Sequence, residues 1–72
     1  MQANYRKRIV IDNKIMRGKP VIKGTRITVE LILRKLGQGA NFDDLVMMYP
    51  HLVKEDILAA ILYAADMVAN ID

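Results

Sequence analysis

The sequence predicts a mainly α fold, a three-helix, helix-turn-helix-like (homeodomain-like) bundle preceded by a short N-terminal β-hairpin. Two stretches, Val29, Ile32, Leu33, Leu36 and Phe42, Leu45, Val46, Tyr49, place apolar residues at i, i+3, i+4 and i+7, the spacing of one helix face. A third stretch, after Pro50, is apolar around more than half of any helix drawn through it. Before all three, residues 17–26 read RGKPVIKGTR, with Gly18, Pro20 and Gly24 crowded into seven positions. Glycine is entropically costly inside a helix and proline lacks a donor, so this segment is strand and turn.

Residues 1–8 have no periodicity and carry Arg6, Lys7 and Arg8, so they read as a flexible basic arm, either solvated and frayed or in contact with phosphate. A single domain spans residues 9–72. Its short strands fall between 9 and 26: Ile9 to Ile11, Ile15 with Met16, and Val21 to Lys23, with Asp12 and Asn13 starting a turn. So small a sheet needs helices to cover it.

The helices are expected at about 29–37, 42–49 and 54–69. Thr28 is a good N-cap for the first, Glu30 suits its opening turn, Arg34 and Lys35 suit its end, and Gly37 or Gly39 stops it. Asn41 caps the second, which Pro50 terminates after barely two turns. The third has Val53 where a capping side chain belongs, so its capping box with Asp56 lacks the first member. Its inward stripe is expected to be Ile57, Ile61, Ala64, Ala65 and Val68, with Leu58, Leu62 and Met67 adding apolar surface for a dimer interface.

A chain of 72 residues is one small domain, and 53% of it is apolar. That is more than a core of this size hides, so a homodimer is expected. There is no cysteine, and the basic run near the N-terminus is not followed by an apolar core of signal-peptide length. The longest apolar run, Ile57 to Ala65, is too short to cross a bilayer. A cytoplasmic protein with no membrane partner is expected.

Charge is divided more sharply than its net value of +3 suggests. Residues 1–35 hold ten of the eleven Lys and Arg against two acids, a net +8, and residues 36–72 hold one against six, a net −5. Any nucleic-acid backbone or acidic protein surface should therefore meet the first half. The candidate contacts are Arg17, Lys19, Lys23, Thr25, Arg26, Arg34 and Lys35, with Lys54 at the start of the third helix.

Catalytic material is sparse. Without serine or cysteine, and with one histidine and two threonines, no hydrolytic triad can be assembled. The acid pairs Asp43, Asp44 and Glu55, Asp56 open predicted helices, where the dipole favours them without any metal. Gly18 and Gly24 do not make a P-loop: five residues separate them, and Lys23 precedes the second glycine instead of following it. His51 has no second histidine or cysteine as a co-ligand. No enzyme, cofactor or metal is expected. Thr25, Arg26 and the turn amides can instead grip a phosphate or carboxylate, or Arg26 can pair internally with Asp12 or Glu30 and pin the turn.

The run GKPVIKGTRITV, with Ile11 and Asp12 before it and YPHLVKEDILAAILYA after it, resembles the small prokaryotic family called domain of unknown function 433. The resemblance covers roughly residues 9 to 68. It implies a non-enzymatic antitoxin of a type II toxin-antitoxin pair, whose partner is a PIN-like nuclease toxin and which autoregulates by binding promoter DNA. The alternative is a stand-alone DNA-binding transcriptional regulator with no toxin.

Overall fold

In the computed structural model, residues 5–70 are described. Three helices carry the fold: α1 (Val29–Gly37), α2 (Phe42–Met48) and α3 (Lys54–Ala69). They are preceded by an antiparallel two-stranded sheet, β1 (Ile9–Val10) with β2 (Val21–Ile22), in the register Ile9 to Ile22 and Val10 to Val21. No helix among the described residues is long and apolar enough to cross a membrane.

The helix ends follow local chemistry. Thr28 Oγ1 accepts from Leu31 N at 3.0 Å, and Asn41 and Asp44 complete a reciprocal capping box at 2.8 and 2.9 Å. The end of α1 is a Schellman motif: Ala40 N donates to Lys35 O, Gly39 N donates to Leu36 O, and Gly39 has a φ of +105°. A glycine suits that position because the left-handed conformation crowds any Cβ. At α3 only half a box exists. Val53 N donates to Asp56 Oδ2 at 3.1 Å, but the valine side chain has no acceptor to return.

The core is small and continuous. Ile22, Val29, Ile32, Leu45, Leu52, Ile57 and Ala60 are buried together, with Ile9, Ile27, Leu33, Leu36, Phe42, Tyr49 and Tyr63 packed around them. Each of α1, α2, α3 and β2 thus contributes a fully hidden side chain. The short α2 has one, Leu45, and Leu52 plugs the turn after it.

Several expectations need correction. Residues 15 and 16 are not a strand: Met16–Gly18 is a single 3-10 turn, with positive φ at Met16, Arg17 and Gly18. At Gly18 the φ of +82° calls for glycine, whereas the 2.9 Å approach of a Cβ to Asn13 Oδ1 would be relieved by turning that exposed side chain. The expected arm lies partly outside the described residues, but Tyr5–Arg8 is a docked 3-10 turn rather than a free one. Tyr5 is buried, its hydroxyl donates to Asp66, and Arg8 pairs with Asp56. Val46, expected on the inner face of α2, is exposed.

The largest correction concerns α3. Its inward residues are Asp56, Ile57, Ala59 and Ala60, with Tyr63 packed beside them, whereas Ile61, Ala65 and Val68 face solvent. Of the expected stripe only Ile57 is buried. Periodicity cannot orient a helix that is apolar on nearly every side.

Candidate functional site

Two surfaces hold the side chains singled out by sequence. The first is the turn-rich segment between β1 and α1. Its shape comes from backbone bonds: Ile22 N donates to Ile27 O, Val29 N to Pro20 O, and Lys23 N to Arg8 O, all at 2.8–2.9 Å. Gly24, with a φ of +79°, lets the chain reverse between Ile22 and Thr25. Nearby, Met16 and Arg17 hold left-handed φ values of 49° and 59°, a conformation that costs a non-glycine residue about 1–2 kcal/mol.

Thr25 is spent on this turn. Its hydroxyl donates to Ile22 O at 2.8 Å and accepts from Ile27 N at 3.0 Å, so it shapes the loop and offers no proton to a ligand. The amides of Gly24 and Arg26, by contrast, have no protein acceptor among the described residues. Arg26 is exposed and makes no ion pair with Asp12 or Glu30. Glu30 is already occupied: Lys19 Nζ lies 2.9 Å from one oxygen and Arg34 Nε 3.1 Å from the other. Hydrogen bonds from Lys19 and then Arg34 hold the Glu30 carboxyl below the usual glutamate range.

The predicted basic set therefore divides. Lys19 and Arg34 are engaged with Glu30, Lys35 is half-buried, and Arg17, Lys23 and Arg26 are exposed without an ionic partner among the described residues. Arg26 and its turn lie against the α2–α3 turn. Gly24 to Ile27 and Met48 to His51 line a groove of about 300 Å³, so Arg26 and His51 border the same depression. Sequence reasoning treated them separately, and no local pattern links them.

The acid pairs serve the helix starts. Asp44 caps Asn41 N, and Asp56 caps Val53 N while its other oxygen meets Arg8 Nη1 at 3.0 Å. The Asp56 side chain is only 8% exposed, so the bond to Arg8 supplies the counter-charge that a hidden carboxylate requires. Among the described residues no three His, Cys, Asp or Glu side chains gather into a cation site.

The second surface is the outer side of α3. Leu58, Ile61, Leu62, Ala65, Val68 and Ala69 are all exposed there, with Lys54 and Glu55 at the N-terminal end. Leu58 and Leu62 belong to this face. Met67 does not: it lies nine residues beyond Leu58, half a turn out of phase, and lines a separate groove of about 390 Å³ between α1 and α3 with Pro20, Leu33 and Tyr63. Along one edge of the outer face, Tyr5, Lys7 and Arg8 form a wall, leaving a groove of about 470 Å³ against Leu58, Ala59 and Leu62.

Comparisons with known proteins agree with this architecture. A solved structure of a DUF433 member protein from Anabaena variabilis ATCC 29413 superposes with a TM-score of 0.79 at 33% identity, over 88% of this chain and 66% of that one. This chain thus spans slightly under two thirds of that protein's length. An uncharacterized protein of Archaeoglobus fulgidus is 63% identical over 27 residues, which are 38% of this chain and 75% of that protein. The sequence model of the family described as "Protein of unknown function (DUF433)" matches residues 9–64, and the chain belongs to that family.

Proposed function

We propose that this chain is a non-enzymatic, antitoxin-like binding protein that, as a homodimer, neutralises a PIN-like nuclease and autoregulates its promoter. The observation that carries the binding reading is the set of exposed cations with no ionic partner among the described residues, Arg17, Lys23 and Arg26, on one turn-rich segment. A nuclease of that kind presents clustered carboxylates, which such a surface complements. The nuclease partner itself comes from the resemblance of GKPVIKGTRITV to the family pattern.

The test is recovery of the chain from its native host under gentle conditions, with identification and stoichiometry of whatever protein copurifies. A nuclease-like protein in near-equal amount, lost on Arg26→Ala while the circular dichroism spectrum is unchanged, is the expected result. Failure of co-expression to relieve the toxicity of the neighbouring nuclease-like gene would refute the reading.

A stand-alone DNA regulator is favoured by one specific feature, the succession of α2, the turn Tyr49–Val53 and α3 with α1 packed across α3. In a helix-turn-helix the start of the second helix reaches base edges. One of the two acids there, Asp56, is turned inward onto Arg8, which eases the conflict with DNA phosphates. The residues that follow on the outer face, Leu58, Ile61 and Leu62, offer no donor or acceptor to a base edge. Promoter affinity falling steeply and linearly with salt on logarithmic axes would favour this second reading.

A further inference from the structure

Six of the eight outward residues of α3 are apolar, and their positions are mirrored about one point, with apolar pairs at the centre and the two charges at the N-terminal end. About the midpoint between Ile61 and Leu62, Leu58 mirrors Ala65, Glu55 mirrors Val68, and Lys54 mirrors Ala69. A two-fold interface brings the same patch of each copy onto itself, so a stripe balanced about one point suits it. We infer that α3 is the homodimer interface and that it pairs antiparallel with α3 of a second copy, on an axis beside Ile61 and Leu62. This rests on the homodimer within the proposed function and on neither the nuclease nor the promoter.

Packing supports the antiparallel arrangement. Ile61 of each copy meets the partner's Leu62 at the centre, and Leu58 meets the partner's Ala65 on either side. Large side chains thus face small ones twice, which lets the helices approach without voids. The contact runs along 16 residues, about 24 Å of helix.

Charge supports it independently. The last turn of α3 has no basic residue of its own, and the cation that reaches it, Arg6, lies 3.8 Å from the Asp66 carboxylate rather than on the terminal carbonyls. Lys54 is exposed and has no ion pair among the described residues. Antiparallel pairing sets Lys54 of each copy beside the partner's Ala69, at that negative end, while Glu55 falls one position inward, opposite the partner's Val68. A parallel pair would bring the two Lys54 residues together and leave both C-terminal ends unopposed.

Sedimentation of the purified chain alone, followed by cysteine cross-linking, tests the inference. A dimer at micromolar concentration is expected. Leu62→Glu, on a residue 41% exposed in the single chain, should raise the dissociation constant at least a hundredfold with helicity retained. Lys54→Glu should raise it several-fold, and Lys54→Arg should not. Because the sequence has no cysteine, single introductions report the register. Leu62→Cys should cross-link to itself, whereas Leu58→Cys should cross-link only when mixed with Ala65→Cys. A monomer at 100-fold higher concentration overturns the homodimer as well as the interface. A dimer that survives Leu62→Glu, or in which Leu58→Cys cross-links efficiently to itself, overturns the antiparallel interface alone.

Discussion

Helices α1 and α3 pack against each other and share one core, yet they meet solvent in opposite ways. In α1 the buried residues Val29 and Ile32 lie on one side, and Glu30 with Arg34 forms an ion pair on the other. Both of its ends are closed, by Thr28 and by the Schellman motif at Gly39. In α3 the inner side holds a buried carboxylate, Asp56, the outer side holds Leu58, Ile61 and Leu62, and the N-cap residue Val53 has no side-chain acceptor. Thus α1 is completed by its own sequence, whereas α3 draws on Arg8 for its acid and leaves an apolar outer face exposed. A helix polar outside is amphipathic in the ordinary way, while one apolar on its outer side as well exposes the kind of surface on which contacts form.

The sharpest way to break this contrast uses two adjacent residues. Ile57 is fully buried and Leu58 is 43% exposed. Ile57→Ala should cost about 2–5 kcal/mol, the range for emptying a packed aliphatic site, enough to leave much of so small a domain unfolded. Leu58→Ala, measured in urea at a protein concentration where the chain is monomeric, should stay within about 0.5 kcal/mol of the parent. Equal losses would mean that the outer face is packed even in the single chain, and the distinction between the two sides of α3 would fail.

How much of this was open to sequence reading follows from the same contrast. The three helices and the small antiparallel sheet were legible because their signals are local: caps at Thr28 and Asn41, punctuation at Gly39 and Pro50, and clear periodicity in α1. The face of α3 was not, since an apolar ring gives no phase, and the two polar residues that define its inner side, Asp56 and Tyr63, look like surface residues. Arg8 with Asp56 and Tyr5 with Asp66 join positions 48 and 61 apart in sequence, and nothing local announces such pairs. The basic segment was legible as composition, but the division of labour within it was not. That Glu30 takes Lys19 and Arg34 rather than Arg26, and that Thr25 is consumed by its own turn, depends on distances no spacing encodes.

Asp56 gives the next largest effect. Its carboxylate joins the N-terminal turn to α3 through Arg8 and caps the Val53 amide. Asp56→Ala removes both bonds, the ion pair to Arg8 and the cap on Val53 N, which should cost about 2 kcal/mol. Arg8→Ala strips the carboxylate of its counter-charge but leaves it on the Val53 amide at the positive end of α3, and with both of these holding the charge it should cost less. Thermal unfolding of both variants orders them, and a larger loss for Arg8→Ala would place the main stabilisation in the basic turn rather than at the helix start.

The smallest effect addresses the one end of α3 that its sequence leaves open. Val53 already has the extended backbone of an N-cap, φ −114° and ψ 164°, and its side chain is substantially exposed, so little apolar burial is lost by replacing it. Val53→Thr supplies a hydroxyl that can accept from Asp56 N, completing the box whose other half, Asp56 to Val53 N, is present. It should stabilise the chain by about 0.5–1 kcal/mol. The control is Thr28→Ala, which opens the start of α1 and should cost about 1 kcal/mol. If both substitutions behave so, the difference between the two helix starts is a matter of one hydroxyl. If Val53→Thr gives nothing, Asp56 and Arg8 already hold the start of α3 as firmly as a cap would, and the dependence of that helix on distant residues is stronger than its missing cap suggests.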